Sequence, residues 1–187
     1  MFCFVNCGEF RFELVLKIGI NVVHEASQRE LVDQSIRDID ISPGLFADGP
    51  WGNKLLNIED QAVSLNDIEH RILRPIWQDP LVHYALNCAA SGCPDLQDQA
   101  FTADNCDDLL VQAATAYVNH PRGVRVAGDV VEISSIYDWY GDDFGTDEAA
   151  LLDHLALYAA PALQARLTKA STVDYQSYDW SLNDAGR

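Results

Sequence analysis

The chain has 187 residues, 48% of them apolar, which is enough for one domain with a real hydrophobic core. Twelve basic against 29 acidic residues leave a formal charge of −17. Such a surface repels phosphate backbones and anionic lipid, and argues against nucleic acid or a membrane surface as partner. Its simpler meaning is solubility. No apolar run approaches the roughly 20 residues of a membrane span. The start, Met1-Phe2-Cys3-Phe4-Val5-Asn6-Cys7, has no basic residues and does not read as a signal peptide. Cys3, Cys7, Cys88, Cys93 and Cys106 are an odd number at uneven spacing, unlike a secreted disulfide framework. A cytoplasmic setting is therefore favoured, and a missing leader peptide is what would change that.

In chain order, Phe10 to Ile20 reads as strand or buried helix and Glu25 to Ile39 as polar with modest helical spacing. Turn signals at Ser42-Pro43-Gly44 and from Asp48 to Gly52 bracket a loop carrying Phe46 and Trp51. Lys54 to Val63 suits a short hairpin turning at Glu59-Asp60. Ser64 is a good N-cap with Asp67 in capping-box position, so a helix is expected from Ser64 to Arg74, ended or kinked by Pro75. Leu81 to Leu86 reads as a short buried strand, followed by a small-residue loop from Asn87 to Pro94. Thr102 or Asp104 caps a second helix, Asn105 to Val118, with Leu109, Leu110, Ala113, Ala114 and Tyr117 inward. Gly123 to Ile133 alternates as a hairpin with its turn at Gly128-Asp129. An aromatic helix from Ile136 to Tyr140 and two more helices around Pro161 complete the chain. The expected fold is one α+β domain over residues 1–170, mostly helical with a small antiparallel sheet, and a polar tail over 171–187 that wraps or frays.

On the Ser64 helix, Leu65, Ile68, Ile72 and Ile76 share a stripe, and Glu69 falls about 40° from Leu65, inside it. An unpaired carboxylate there costs several kcal/mol or stays protonated, so Glu69 needs a partner. His70, at about 140°, diverges from it. Glu69 is either a structural acid or one that orients a histidine and handles a proton. Period-two alternation on the expected strand separates His83 from Cys88 unless the chain bends at Asn87, so His70 is as good a base as His83. Cys88 precedes Ala-Ala-Ser-Gly, small enough for close approach by a substrate. It is a nucleophile if a histidine activates it and a small buried hydrophobe if not. A Cys88–Cys93 disulfide is also open, and metal binding by His70, His83, Cys88 and Glu69 is the weakest reading.

The stretch Ser64-Leu-Asn-Asp-Ile-Glu-His-Arg-Ile-Leu-Arg74, then Asp79-Pro80, His83-Tyr-Ala-Leu-Asn-Cys88 and Gly92-Cys93-Pro94, resembles the DUF547 family, a domain of unknown function. Tyr117, Arg122-Gly-Val and Ile136-Tyr-Asp-Trp-Tyr-Gly-Asp-Asp-Phe-Gly145 continue the resemblance, from about Ser35 to Tyr158. The family's upstream Phe-Trp-Ile-Asn-x-Tyr-Asn has only Cys3-Phe-Val-Asn6-Cys-Gly-Glu9 as counterpart, with Gly8 and Glu9 departing from it. The resemblance implies an α+β domain and a motif set centred on Glu69, His70, His83 and Cys88. Serine at the second cysteine position of plant relatives points to Cys88 over Cys93. Fusion to glutaredoxin in animal relatives suggests thiol chemistry.

Two functions follow. One is a cysteine-dependent enzyme, for acyl transfer, peptide hydrolysis or thiol exchange, with Cys88 as nucleophile, His70 or His83 as base and Glu69 as orienting acid. The other is a non-catalytic module binding a small molecule or peptide, with Asn87, Ser91 and Trp139 as contacts among an aromatic set of Trp51, Trp77, Tyr137, Trp139 and Tyr140. Neither requires a cofactor.

Overall fold

The computed structural model describes residues 52–181, apart from 53, 55, 59, 89, 98, 100, 103, 128, 129 and 171. The expectations for Phe10–Ile20, Glu25–Ile39, Phe46, Trp51, Cys3 and Cys7 lie outside the described residues.

The chain forms the expected mostly helical α+β fold. Strands β1 (Leu56–Ile58) and β2 (Gln61–Val63) pair antiparallel, with Ile58 opposite Gln61 and Asp60 in the left-handed region at φ 65°. That two-residue connection is the hairpin read at Glu59-Asp60.

Ser64 then caps α1 (Leu65–Asp67). Its hydroxyl accepts from the Asp67 amide at 3.1 Å, and Asp67 Oδ2 accepts from the Ser64 amide at 2.8 Å, completing the capping box. Lys54 and Arg71 add ion pairs to Asp67. The helix does not stop at Pro75. It widens into a π turn (Ile68–Leu73), in which the Arg74 amide reaches back to the Glu69 carbonyl, and continues as α2 (Arg74–Trp77). Proline lacks an N–H and crowds the carbonyl four residues back. A π turn just before it opens that register, and Pro75 sits in the first turn of α2, where it is tolerated. Gln78, at φ 53°, ends the run.

The segment expected as a buried strand at Leu81 to Leu86 is instead helix α3 (Val82–Ala85). The cause is local. Asp79 accepts from the Leu81 amide through its side chain and from the Val82 amide through its carbonyl, and Pro80 accepts from the His83 amide. These bonds close a helical turn before any strand partner is available. The apolar run is buried as predicted, since Val82, His83, Tyr84 and Ala85 are all inside.

Helix α4 (Cys106–Val118) turns Leu109, Leu110, Ala113, Ala114 and Tyr117 inward as expected, with Asn105 rather than Thr102 or Asp104 at its cap position. Strands β3 (Val124–Ala127) and β4 (Val130–Ile133) form the second hairpin. Four helices follow: α5 (Ile136–Trp139), α6 (Gly141–Phe144), α7 (Glu148–Tyr158) and α8 (Pro161–Leu167). The tail then returns. β5 (Asp174–Tyr175) joins β4 in parallel, so the sheet is mixed rather than antiparallel.

Two apolar clusters meet on α4. One gathers Tyr84, Tyr117, Tyr137, Phe144 and Leu155, and the other Ile68, Leu73, Val82, Phe101 and Leu109. Side chains of this size contribute about 1.5–3 kcal/mol each when fully buried. Together the clusters fix the π turn, α3 and α5 around a common space. Among the described residues, no helix is long and apolar enough to cross a membrane.

Candidate functional site

A cavity of about 280 Å³ opens between the π turn, the end of α3, α5 and the returning tail. Leu65, Ile68, Glu69, His70 and Leu73 line one side, with His83, Leu86, Asn87, Cys88 and Cys93 beneath. Ile136, Trp139, Tyr140, Tyr178 and Trp180 close the other. The four predicted catalytic residues therefore face one space. Strand alternation does not separate His83 from Cys88, because there is no strand: the helix unwinds at Leu86 (ψ 130°) and brings Cys88 round.

His83 is buried, and its Nε2 donates to Asp143 Oδ2 at 2.7 Å. Its ring stacks on Tyr140 with centroids 4.3 Å apart. Burial lowers its pKa, although the Asp143 hydrogen bond works the other way. Arg74 Nε donates to the same Asp143 oxygen. Burial acts to raise the Asp143 pKa, but the hydrogen bonds from Arg74 and His83 outweigh it and hold the carboxyl below its ordinary value.

Arg74 also lies over the Tyr140 ring, 4.9 Å from its centroid, and its Nη1 is 3.2 Å from His70 Nδ1. A guanidinium only donates, so Nδ1 of His70 is the acceptor in this contact. Glu69 is half-buried rather than enclosed in the apolar stripe, because the π turn rotates the helix phase. The same rotation leaves Ile76 57% exposed, where uniform helical spacing places it inside. Glu69 Oε1 is 3.8 Å from His70 Nδ1, so the two side chains stay close but do not hydrogen-bond. Its carboxylate instead faces the Tyr140 hydroxyl. Burial first, then Glu69, push the phenol pKa up.

The sulfurs of Cys88 and Cys93 are joined, with Cα atoms 6.1 Å apart. An odd cysteine count does not prevent one closed pair, and Cys106, fully buried, stands outside the disulfide. Cys88 is half-buried, and its sulfur lies 3.2 Å from the Tyr178 hydroxyl. Among the described residues, no histidine hydrogen-bonds that sulfur. Asn87 lines the cavity and donates to the Pro94 carbonyl at 2.8 Å. Ser91 does not line it. Its amide donates to the Ser181 carbonyl at 2.7 Å and its hydroxyl pairs with that of Ser181, so it ties down the tail. Tyr117 donates to the Gly92 carbonyl at 2.7 Å and secures the same loop from below.

Of the expected aromatic set, Trp139 and Tyr140 face the cavity, Tyr137 is core, Trp77 packs on the second cluster and Trp51 lies outside the described residues. Tyr178 and Trp180 come from the tail and were not among the expected contacts. Trp180 stacks on Trp139 at 5.6 Å, and Tyr178 packs against it at a tilt, 4.8 Å between centroids. Asp143 and Arg74 were also missed, although both lie within the quoted family motifs. No group of three or more His, Cys, Asp or Glu among the described residues is placed to hold a metal ion.

The profile of the family described as "Protein of unknown function, DUF547" matches residues 17–118, more than half of the chain. The chain belongs to the DUF547 family. The match covers Glu69, His70, His83, Cys88 and Cys93 and ends with α4, so Asp143 and the aromatic wall lie beyond it. No curated protein and no solved structure matches the chain.

Proposed function

We propose that this domain is a binding module for a small ligand, held in the cavity above His83 and the Cys88–Cys93 pair. The observation that carries this is the wall itself. Trp139, Tyr140, Tyr178 and Trp180, from two distant stretches of chain, face a concave space with a few placed polar groups, Glu69 and Asn87 among them. Binding sites for small molecules have this make-up, and about 280 Å³ is near the lower end of their usual size. His83, Arg74 and Asp143 support the floor as a mutually bonded cluster, in keeping with positioning rather than turnover.

A screen of small aromatic fragments by protein-observed NMR tests the reading. Shifts should concentrate on Leu65, Trp139 and Trp180, and Trp139→Ala should abolish them. Fragments that shift only residues away from the cavity would overturn it.

A second reading is thiol-dependent chemistry at Cys88, with His70 or His83 as base and Glu69 as orienting acid. The observation favouring it is that all four side chains line the same cavity. It requires the disulfide to be opened first, because the thiolate is the nucleophile. In reduced protein the alkylation rate of Cys88 should then titrate well below the ordinary thiol value of about 8.5. A profile at or above that value rules this chemistry out.

A further inference from the structure

We infer that the ligand of this cavity is a small organic cation, an ammonium group on an apolar or aromatic body. The inference rests on the ligand-binding reading and adds the ligand's charge. It follows from which groups around the cavity carry charge that is not already matched.

Three titratable side chains of the lining bear on this: Glu69, His70 and His83. His70 Nδ1 is engaged by Arg74, so that nitrogen has no proton to give Glu69. His83 is buried and its pKa is lowered by that burial, so it is neutral at ordinary pH. Arg74 stands just behind the lining and attracts Glu69 at longer range, but its hydrogen bond from Nε goes to Asp143. Glu69 is left as the carboxylate that faces the cavity without a cation of its own in hydrogen-bond contact. The nearest basic nitrogen paired with it is His70 Nδ1 at 3.8 Å, already occupied by Arg74.

The rest of the wall agrees with that sign. Ring faces of tryptophan and tyrosine carry negative potential and attract cations. Trp139, Tyr178 and Trp180 form one aromatic cluster, with centroids 4.6 to 5.6 Å apart, in which Trp139 and Trp180 stack and Tyr178 is inclined to both. Tyr140, whose ring is already engaged by Arg74 and His83, contributes its hydroxyl beside Glu69. An anionic ligand would find no free cation among the described lining residues. A neutral apolar ligand would leave the half-buried carboxylate without a cation in hydrogen-bond contact. The chain's charge of −17 draws cations toward the mouth as well.

The test compares three probes of one shape on the full 187-residue chain: phenethylamine, phenethyl alcohol and 3-phenylpropionate, titrated by calorimetry and by tryptophan fluorescence. The amine should bind roughly tenfold more tightly than the alcohol, with the carboxylate weakest. Glu69→Gln keeps the side-chain shape and removes the charge, and should bring amine and alcohol to within about threefold of each other. Alcohol binding as well as amine in the unaltered chain would overturn the cation inference and leave the pocket standing. Failure of all three probes to bind would overturn both. The comparison in the unaltered chain decides the matter even if the variant does not fold.

Discussion

Nε2 of His83 and Oδ2 of Asp143 are 2.7 Å apart across 60 residues of sequence, and Arg74 donates to the same oxygen. One carboxylate oxygen thus serves two donors from two elements, α2 and α3, and ties both to α6. With its proton on Nε2, neutral His83 keeps an unprotonated Nδ1. The carboxylate fixes the tautomer and the ring plane, and the Tyr140 ring stacked on one face keeps the imidazole in place.

Asp143→Ala removes the acceptor and leaves two partly buried donors unpaired. Loss of such a partner costs about 1–3 kcal/mol. Urea unfolding should show a loss in that range, and the His83 pKa should fall further, because the interaction that opposes burial has gone. Asp143→Asn, which can satisfy one donor but not stabilise positive charge, should fall between. Unchanged stability together with an unchanged His83 titration in Asp143→Ala would mean that this carboxylate does not hold the floor.

The parts of this site readable in advance were those written in short spacing. Ser64 and Asp67 form their capping box because the motif needs only four residues. Glu69, His70, His83 and Cys88 stand out as polar residues set among apolar ones. What spacing could not supply was the phase of the helix through the π turn, which depends on how Pro75 is accommodated, and the helical turn at α3, which Asp79 and Pro80 nucleate. Partners from distant sequence were hidden for a different reason. Asp143, Tyr178 and Trp180 look like ordinary surface residues of a loop and a polar tail until the tail is seen to return along β4 and across Ser91 and Gly92.

Gly123 joins α4 to β3 where there is no space for a side chain. A Cβ there would lie 2.0 Å from the Tyr117 carbonyl oxygen and 2.8 Å from its carbon, both backbone atoms. Relief requires moving the end of α4 against the sheet, and strain of this kind typically costs 1–3 kcal/mol or more. Gly123→Ala should lower the thermal midpoint by about 5 °C or more. A midpoint within about 1 °C of the unaltered chain would show that the α4–β3 junction yields freely.

His154 is buried beside Tyr84, whose hydroxyl is 2.9 Å from its Nε2. Burial, with a smaller contribution from His83, holds its pKa down at about 4. An unfolded chain takes up this proton below about pH 6.5 while the folded one does not. Stability from this group is therefore complete above pH 6.5 and declines as pH falls toward 4, by on the order of 2 kcal/mol between pH 7 and 5. His83, also lowered, adds to the same trend. His154→Phe should lower stability at pH 7 by losing the Tyr84 contact, yet show a shallower fall from pH 7 to 5 in urea midpoints. Equal slopes for the two proteins would place the acid sensitivity elsewhere.

The Cys88–Cys93 bond spans a separation of five residues, so opening it restores little chain freedom. Loop-closure entropy for so short a ring is about 2 kcal/mol. Its local effect should be larger than that figure suggests, because the same loop anchors the tail through Ser91, Gly92 and the Tyr178 hydroxyl. Reduction should expose Cys88, already half-buried at the cavity, to alkylation well before the fully buried Cys106. Cys93→Ser should reproduce the stability loss, and hydrogen exchange should quicken at Ser91 and Gly92 while α4 stays protected. Equal exchange at Gly92 in the oxidised and reduced chains would show that Tyr117 and the tail contacts hold the loop without the disulfide. The covalent link would then bear on the chemistry of the cavity wall and not on its shape.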